Sequence, residues 1–149
     1  MRTIGSRLAL TAFSALAVTA VMAVPAEATV FHQEISVRSD AHIAEDGRVI
    51  LSGSYRCEAA SPVGAVQIKA TVIQEGVRLT MGGGEALCDG HEHPWRAESK
   101  PGRTWGVHGG GARAEGRLEE IHFGGGMLPR AVDTVAEDAR DVTVYDHRR

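Results

Sequence analysis

Between Val49 and Cys57 the chain alternates without a break. Val49, Leu51, Gly53, Tyr55 and Cys57 fall on one face, and Ile50, Ser52, Ser54 and Arg56 on the other. A period of two with one mostly apolar side marks a strand packed against another layer. Ala65–Gln74 repeats the pattern, with Val66, Ile68, Ala70 and Val72 set against Gln67, Lys69, Thr71 and Ile73. Weaker alternation predicts an opening strand over Phe31–Val37, continued by His42–Ala44. It also predicts short strands at Val77–Met81, Glu85–Cys88 and Trp95–Ser99, and one around Trp105 and Val107. Ala112–Leu118, extended by Glu119–Phe123, presents small residues inward, which implies close backbone approach. Asp141–Tyr145 reads as the last strand. Ala131–Arg140 has no regular period; a helical turn or two is as far as its pattern goes.

The runs are separated by turn chemistry. Glu45-Asp46-Gly47, Ser61-Pro62-Val63-Gly64, Glu75-Gly76, Asp89-Gly90 and Lys100-Pro101-Gly102 punctuate the chain, and Asp-Gly supplies the positive φ of a tight hairpin. Gly82-Gly83-Gly84 predicts a flexible connection, and Gly109–Gly111 and Gly124–Gly126 further breaks. None of these triplets sits between a strand and a helix with a following Lys, so they are not phosphate-binding loops. Short strands with Gly-rich turns predict an all-β fold: an immunoglobulin-like antiparallel sandwich with one disulfide. The likeness is architectural only. The cysteines lie too close together for a true immunoglobulin domain, and Trp95 follows them instead of falling between them.

The N-terminus changes the picture. Arg2 and Arg7 precede an apolar run from Leu8 to Val24 that closes on Pro25-Ala26-Glu27-Ala28. This predicts a signal peptide over 1–28, cut after Ala28, and a single domain over 29–149, least defined past Gly124. The small-residue exit and Pro25 favour cleavage over a membrane span. The arginines are not paired, no Cys adjoins the cut, and no second apolar segment ends the chain. The expected product is therefore secreted, without a membrane anchor. In such a setting Cys57 and Cys88 are expected to pair.

Composition adds three points. The formal charge of −3 is spread along the chain, unlike the basic stripe that nucleic-acid binding needs. Arg, Ala and Gly are abundant and Asn is absent, which fits a GC-rich bacterial genome and removes N-glycosylation. The sequence calls for no cofactor.

Candidate chemistry is sparse. Asp89-Gly90-His91-Glu92-His93, with His108 downstream, is the sharpest group: His-x-His on an extended segment puts both imidazoles on one side, where Asp89 or His108 would complete a zinc or copper site. The alternative is a solvated polar turn. No Gly-x-Ser-x-Gly elbow occurs, Ser54 lies on a strand face, and Glu119 and Glu120 point to opposite faces. No nucleophile–base pair can be named, so the chain is not expected to be an enzyme. Trp95, beside Cys88, is expected to pack on the disulfide. Trp105 is either a core residue or, if exposed, the best anchor for a partner.

The motifs Asp46-Gly47, Leu51–Cys57, Val72-Ile73-Gln74, Cys88-Asp89-Gly90, His93-Pro94-Trp95 and Gly111–Ala114 follow one another in an order that resembles a family of short secreted proteins from GC-rich Gram-positive bacteria with a domain of unknown function. The resemblance covers roughly Val37 to Leu118, with weaker support to Val144. It implies an exported, disulfide-bridged β-sandwich and no activity. The reading that follows is a secreted, monomeric, non-catalytic β domain that binds an extracellular protein or glycan. The alternative is an exported metal-binding protein using the His-Glu-His turn.

Overall fold

The computed structural model describes residues 33–58, 65–102, 104–125 and 128–149. The expected signal peptide, the start of the first strand at Phe31, the break at 61–64 and Gly126 lie outside these residues. Among the described residues there are seven strands and no helix: β1 (Glu34–Ile43), β2 (Val49–Glu58), β3 (Ala65–Gln74), β4 (Val77–Glu85), β5 (Asp89–Glu98), β6 (Gly110–Phe123) and β7 (Pro129–Asp146).

The strands form one sheet in the order β4-β3-β6-β7-β1-β2-β5. Neighbours run antiparallel, except that Asp40–Ile43 of β1 pairs parallel with Thr143–Asp146 of β7. The all-β expectation stands, while this pairing makes the sheet mixed and continuous where a wholly antiparallel sandwich was expected. The reason lies in β7. Its last residues reach far enough to bond β6 on one side and β1 on the other. Further back β1 and β7 part, and Asp138 Oδ2 accepts the Val37 N–H at 2.8 Å in place of a ladder bond.

The sheet curls so that its halves face each other across the core. Gly116 of β6 lies so close to β1 and β5 that a Cβ there would sit 2.9 Å from Val37 Cγ2 and 3.3 Å from Trp95 Cζ2. This is the close approach implied by the small residues of β6. The alternating face of β2 is inward, and Val49, Leu51, Tyr55 and Cys57 are buried with Ile68, Val72, Ala114, Leu118, Val142 and Val144. Trp95 is a core residue whose indole N–H donates to Ser36 O at 3.0 Å.

Cys57, at the end of β2, is bonded to Cys88, just ahead of β5. These are adjacent paired strands, so the bridge clamps one end of the pair. The strand expected over Glu85–Cys88 is not formed. Ala86–Cys88 instead crosses from β4 to β5, its ladder replaced by Ala86 N–H donating to Val66 O at 2.7 Å and Leu87 N–H to Tyr55 Oη at 2.9 Å. Asp89-Gly90, expected to end a strand, opens β5. Gly82–Gly84, expected to be a connection, is strand. Ile68 pairs with Gly84 and Lys69 with Gly82, so Gly83 is the extra residue of a β-bulge. The irregular stretch Ala131–Arg140 is also strand, within β7. The strand expected around Trp105 is a turn.

Candidate functional site

Among the described residues, polar chemistry and exposed aromatics gather at several places, among them the start of β5, the β5–β6 loop and the end of β7. The first is the turn at the start of β5. Gly90, at φ +80°, bends the chain after Asp89. Asp89 Oδ1 then accepts the His91 backbone N–H at 2.9 Å and faces His93 Nε2 at 2.8 Å and His91 Nδ1 at 3.5 Å. The His93 hydrogen bond, followed by that of the His91 N–H, lowers the Asp89 pKa to about 2. One oxygen thus sits between both imidazoles.

His108 is not part of this group. It lies beyond the other end of β5, a strand that extends over roughly 30 Å. There its Nε2 faces Glu75 Oε2 at 3.3 Å, and its Nδ1 donates to Gly109 O at 2.9 Å. These bonds, Gly109 first, raise its pKa. Among the described residues no group of three or more His, Cys, Asp or Glu side chains is arranged to hold a metal ion.

The second cluster is the loop between β5 and β6. Val107 N–H donates to Thr104 O at 2.9 Å, with Trp105 at φ +52° and Gly106 at φ +90° between them. Positive φ at both central residues is the type I′ turn, which favours Asn, Asp or Gly at its first centre. Trp105 occupies that place and is 58% exposed. The loop is pinned on both sides of it. Val107 is buried in the core, Gly102 N–H donates to Asp46 O at 2.8 Å, and the buried Gln74 side chain accepts the His108 N–H at 2.9 Å while donating to Gly111 O at 3.0 Å.

The third cluster was not picked out from the sequence. His42 Nε2 donates to Asp40 Oδ2 (2.9 Å), and His42 Nδ1 faces His147 Nε2 at 3.1 Å. Arg38 Nε donates to Asp40 Oδ1 at 3.3 Å. Tyr145, the parallel partner of His42, lies beside it with ring centroids 5.6 Å apart. Arg38, Asp40, His42 and Tyr145 border a groove that Gly111 also lines, and His147 lies outside its lining.

The profile of one family matches residues 31–147, from ahead of β1 to the residue after β7. The chain belongs to the family of unknown function DUF6299. Its match takes in both histidines of the third cluster, the bridged cysteines and Trp105. No curated protein matches this DUF6299 chain. Among solved structures it is similar to the Pseudomonas fluorescens alkylpurine DNA glycosylase AlkC bound to DNA containing an abasic site analog, at 10% identity and a TM-score of 0.37. The match covers 77% of the DUF6299 chain and 29% of the glycosylase. A likeness at that level carries no argument about chemistry.

Proposed function

We propose that this DUF6299 chain is an exported, non-catalytic β domain that binds an extracellular protein or glycan through the loop bearing Trp105. The observation that carries this reading is the Trp105 turn. A non-glycine residue at positive φ costs on the order of 1–3 kcal/mol and persists where its surroundings over-determine it. Here the surroundings are Val107, Gln74 and the Gly102–Asp46 bond, and the strained residue is a largely exposed indole. A rigid, largely exposed aromatic face suits a sugar ring or an apolar side chain.

Supporting points come from elsewhere in the chain. The Cys57–Cys88 bridge is compatible with an oxidising compartment, and the family match begins just past the signal-peptide cut read at Ala28. The Ser54 hydroxyl hydrogen-bonds that of Ser36 at 2.9 Å instead of a base. The outer face of β3, β4 and β6 carries paired charges of both signs, such as Lys69–Glu119 and Arg78–Glu115, in place of a basic stripe.

The test uses Trp105→Asn, because Asn accepts the positive φ. The variant should melt within about 4 °C of the parent while losing retention on culture-medium proteins or cell-envelope glycans that hold the parent. Retention unchanged in a folded variant would refute the reading.

A further inference from the structure

We propose that the groove on the outer face of β6, β7 and β1 binds a neutral pyranose unit of a polysaccharide, with Tyr145 as the stacking ring and Arg38 and Asp141 as hydrogen-bonding groups. The site is separate from the Trp105 loop and does not depend on that loop's role.

Strand register places the groove. Val142 and Val144 are buried in the core, so Asp141, Thr143 and Tyr145 alternate outward along β7. Thr143 pairs with Asp40 on one side and Gly111 on the other, and Tyr145 pairs with His42. Gly111 has no side chain to fill the space, and a Cβ there would meet nothing within 4 Å. The result is an open depression of about 690 Å³, within the usual range of small-molecule sites. Tyr145 is 51% exposed, and its ring lies at 24° to that of His42. His42 is held in turn by Asp40 and, from outside the groove, by His147, so the ring beside Tyr145 is fixed before a ligand arrives.

These groups match a sugar in kind. The C–H face of a pyranose packs on an aromatic ring, while its hydroxyls need donors and acceptors beside that ring. Arg38 uses only Nε, on Asp40, and the Asp141 carboxylate has no partner among the described residues. A guanidinium end is therefore left to donate to hydroxyls and a carboxylate to accept from them. The lining sets Arg38 against Asp40 and Asp141, a mixture of signs that suits an uncharged ligand better than a polyanion or a polycation. The groove over Arg113, Glu115, Arg117 and Glu137 also mixes signs but has no aromatic ring. A peptide fits less well. At Thr143 and Val144, β7 is already paired with both β6 and β1, so no free backbone edge is offered for strand addition. Val142, the aliphatic residue of the lining, is buried, which leaves no apolar pocket for an anchoring side chain.

The probes are cellohexaose, mannohexaose and chitohexaose as neutral ligands, polygalacturonate as a polyanion and a chitosan oligomer as a polycation. Each is titrated calorimetrically into untagged, disulfide-bonded protein. The expected result is binding of at least one neutral hexasaccharide and of neither charged probe. Tyr145→Ala should weaken that binding by about tenfold or more. Gly111→Val should abolish it by filling the groove, and should keep the parent's melting temperature, because an outward β-branched residue suits a strand. Tyr145→Ala, which removes an exposed ring, serves if Gly111→Val does not fold. Trp105→Asn should bind as the parent does. No binding of any neutral probe, binding kept in a folded Gly111→Val or Tyr145→Ala variant, or stronger binding of a charged probe would each overturn the proposal. Binding lost in Trp105→Asn but kept in Gly111→Val would overturn it as well and put the sugar on the loop.

Discussion

Gly53 and Gly111 are both strand glycines, one in β2 and one in β6, yet the space around them differs completely. A Cβ at Gly53 would lie 1.8 Å from Ser36 O and 2.7 Å from the Trp95 indole nitrogen, whereas one at Gly111 meets nothing within 4 Å. Gly53→Ala must therefore push β1 from β2 or break the Trp95–Ser36 bond, and should lose ~3 kcal/mol or more in urea unfolding. Gly111→Ala should leave stability unchanged or raise it by about 0.4–1 kcal/mol. Asp89 supplies a second residue-scale outcome. Its folded pKa of about 2 lies below the ordinary aspartate range, so the group contributes stability that is full above about pH 4 and lost as pH falls toward 2. The group is exposed and the effect small. Melting curves of the parent and Asp89→Asn should differ at pH 5 and converge by pH 2.

At the scale of elements, legibility followed packing. The β2 and β3 runs were readable almost residue by residue because each strand has one face in the core and neighbours on both sides. The glycine triplet misled because glycine reads as a break, while here Gly83 fits a bulge where a side chain would strike Ile68 at 2.7 Å. β7 misled for the opposite reason. From Pro129 to Asp141 it is paired with β6 alone and largely exposed, so nothing imposes a hydrophobic period. Its amides facing away from β6 should exchange with deuterium before those of β2 or β3, as NMR exchange would show. The disulfide closes a span of 31 residues and contributes roughly 3–4 kcal/mol through the unfolded state. Replacing both cysteines by Ala should lower unfolding stability by about that amount, less any strain relieved.

For the whole molecule, the candidate sites divide by how local they are. The Asp89-x-His-x-His turn was visible in sequence because its parts are neighbours. The expected addition of His108 failed because the length of β5 separates them. His42 and His147 lie 105 residues apart; only the parallel docking of β7 on β1 brings them together, and no local motif announces that pairing. Trp105 could be read as exposed or core only once its turn was known.

That docking also sets an order of events. β1 emerges about a hundred residues before its parallel partner, so a polypeptide delivered N-terminus first cannot join the two halves of its sheet until Thr143–Asp146 has arrived. Earlier strands can pair locally and the cysteines can find each other, but closure waits for the end of β7, and contacts this distant in sequence form slowly. The sheet is in effect latched by Thr143–Asp146, and a chain cut short before Thr143 would be left as an open, unlatched sheet.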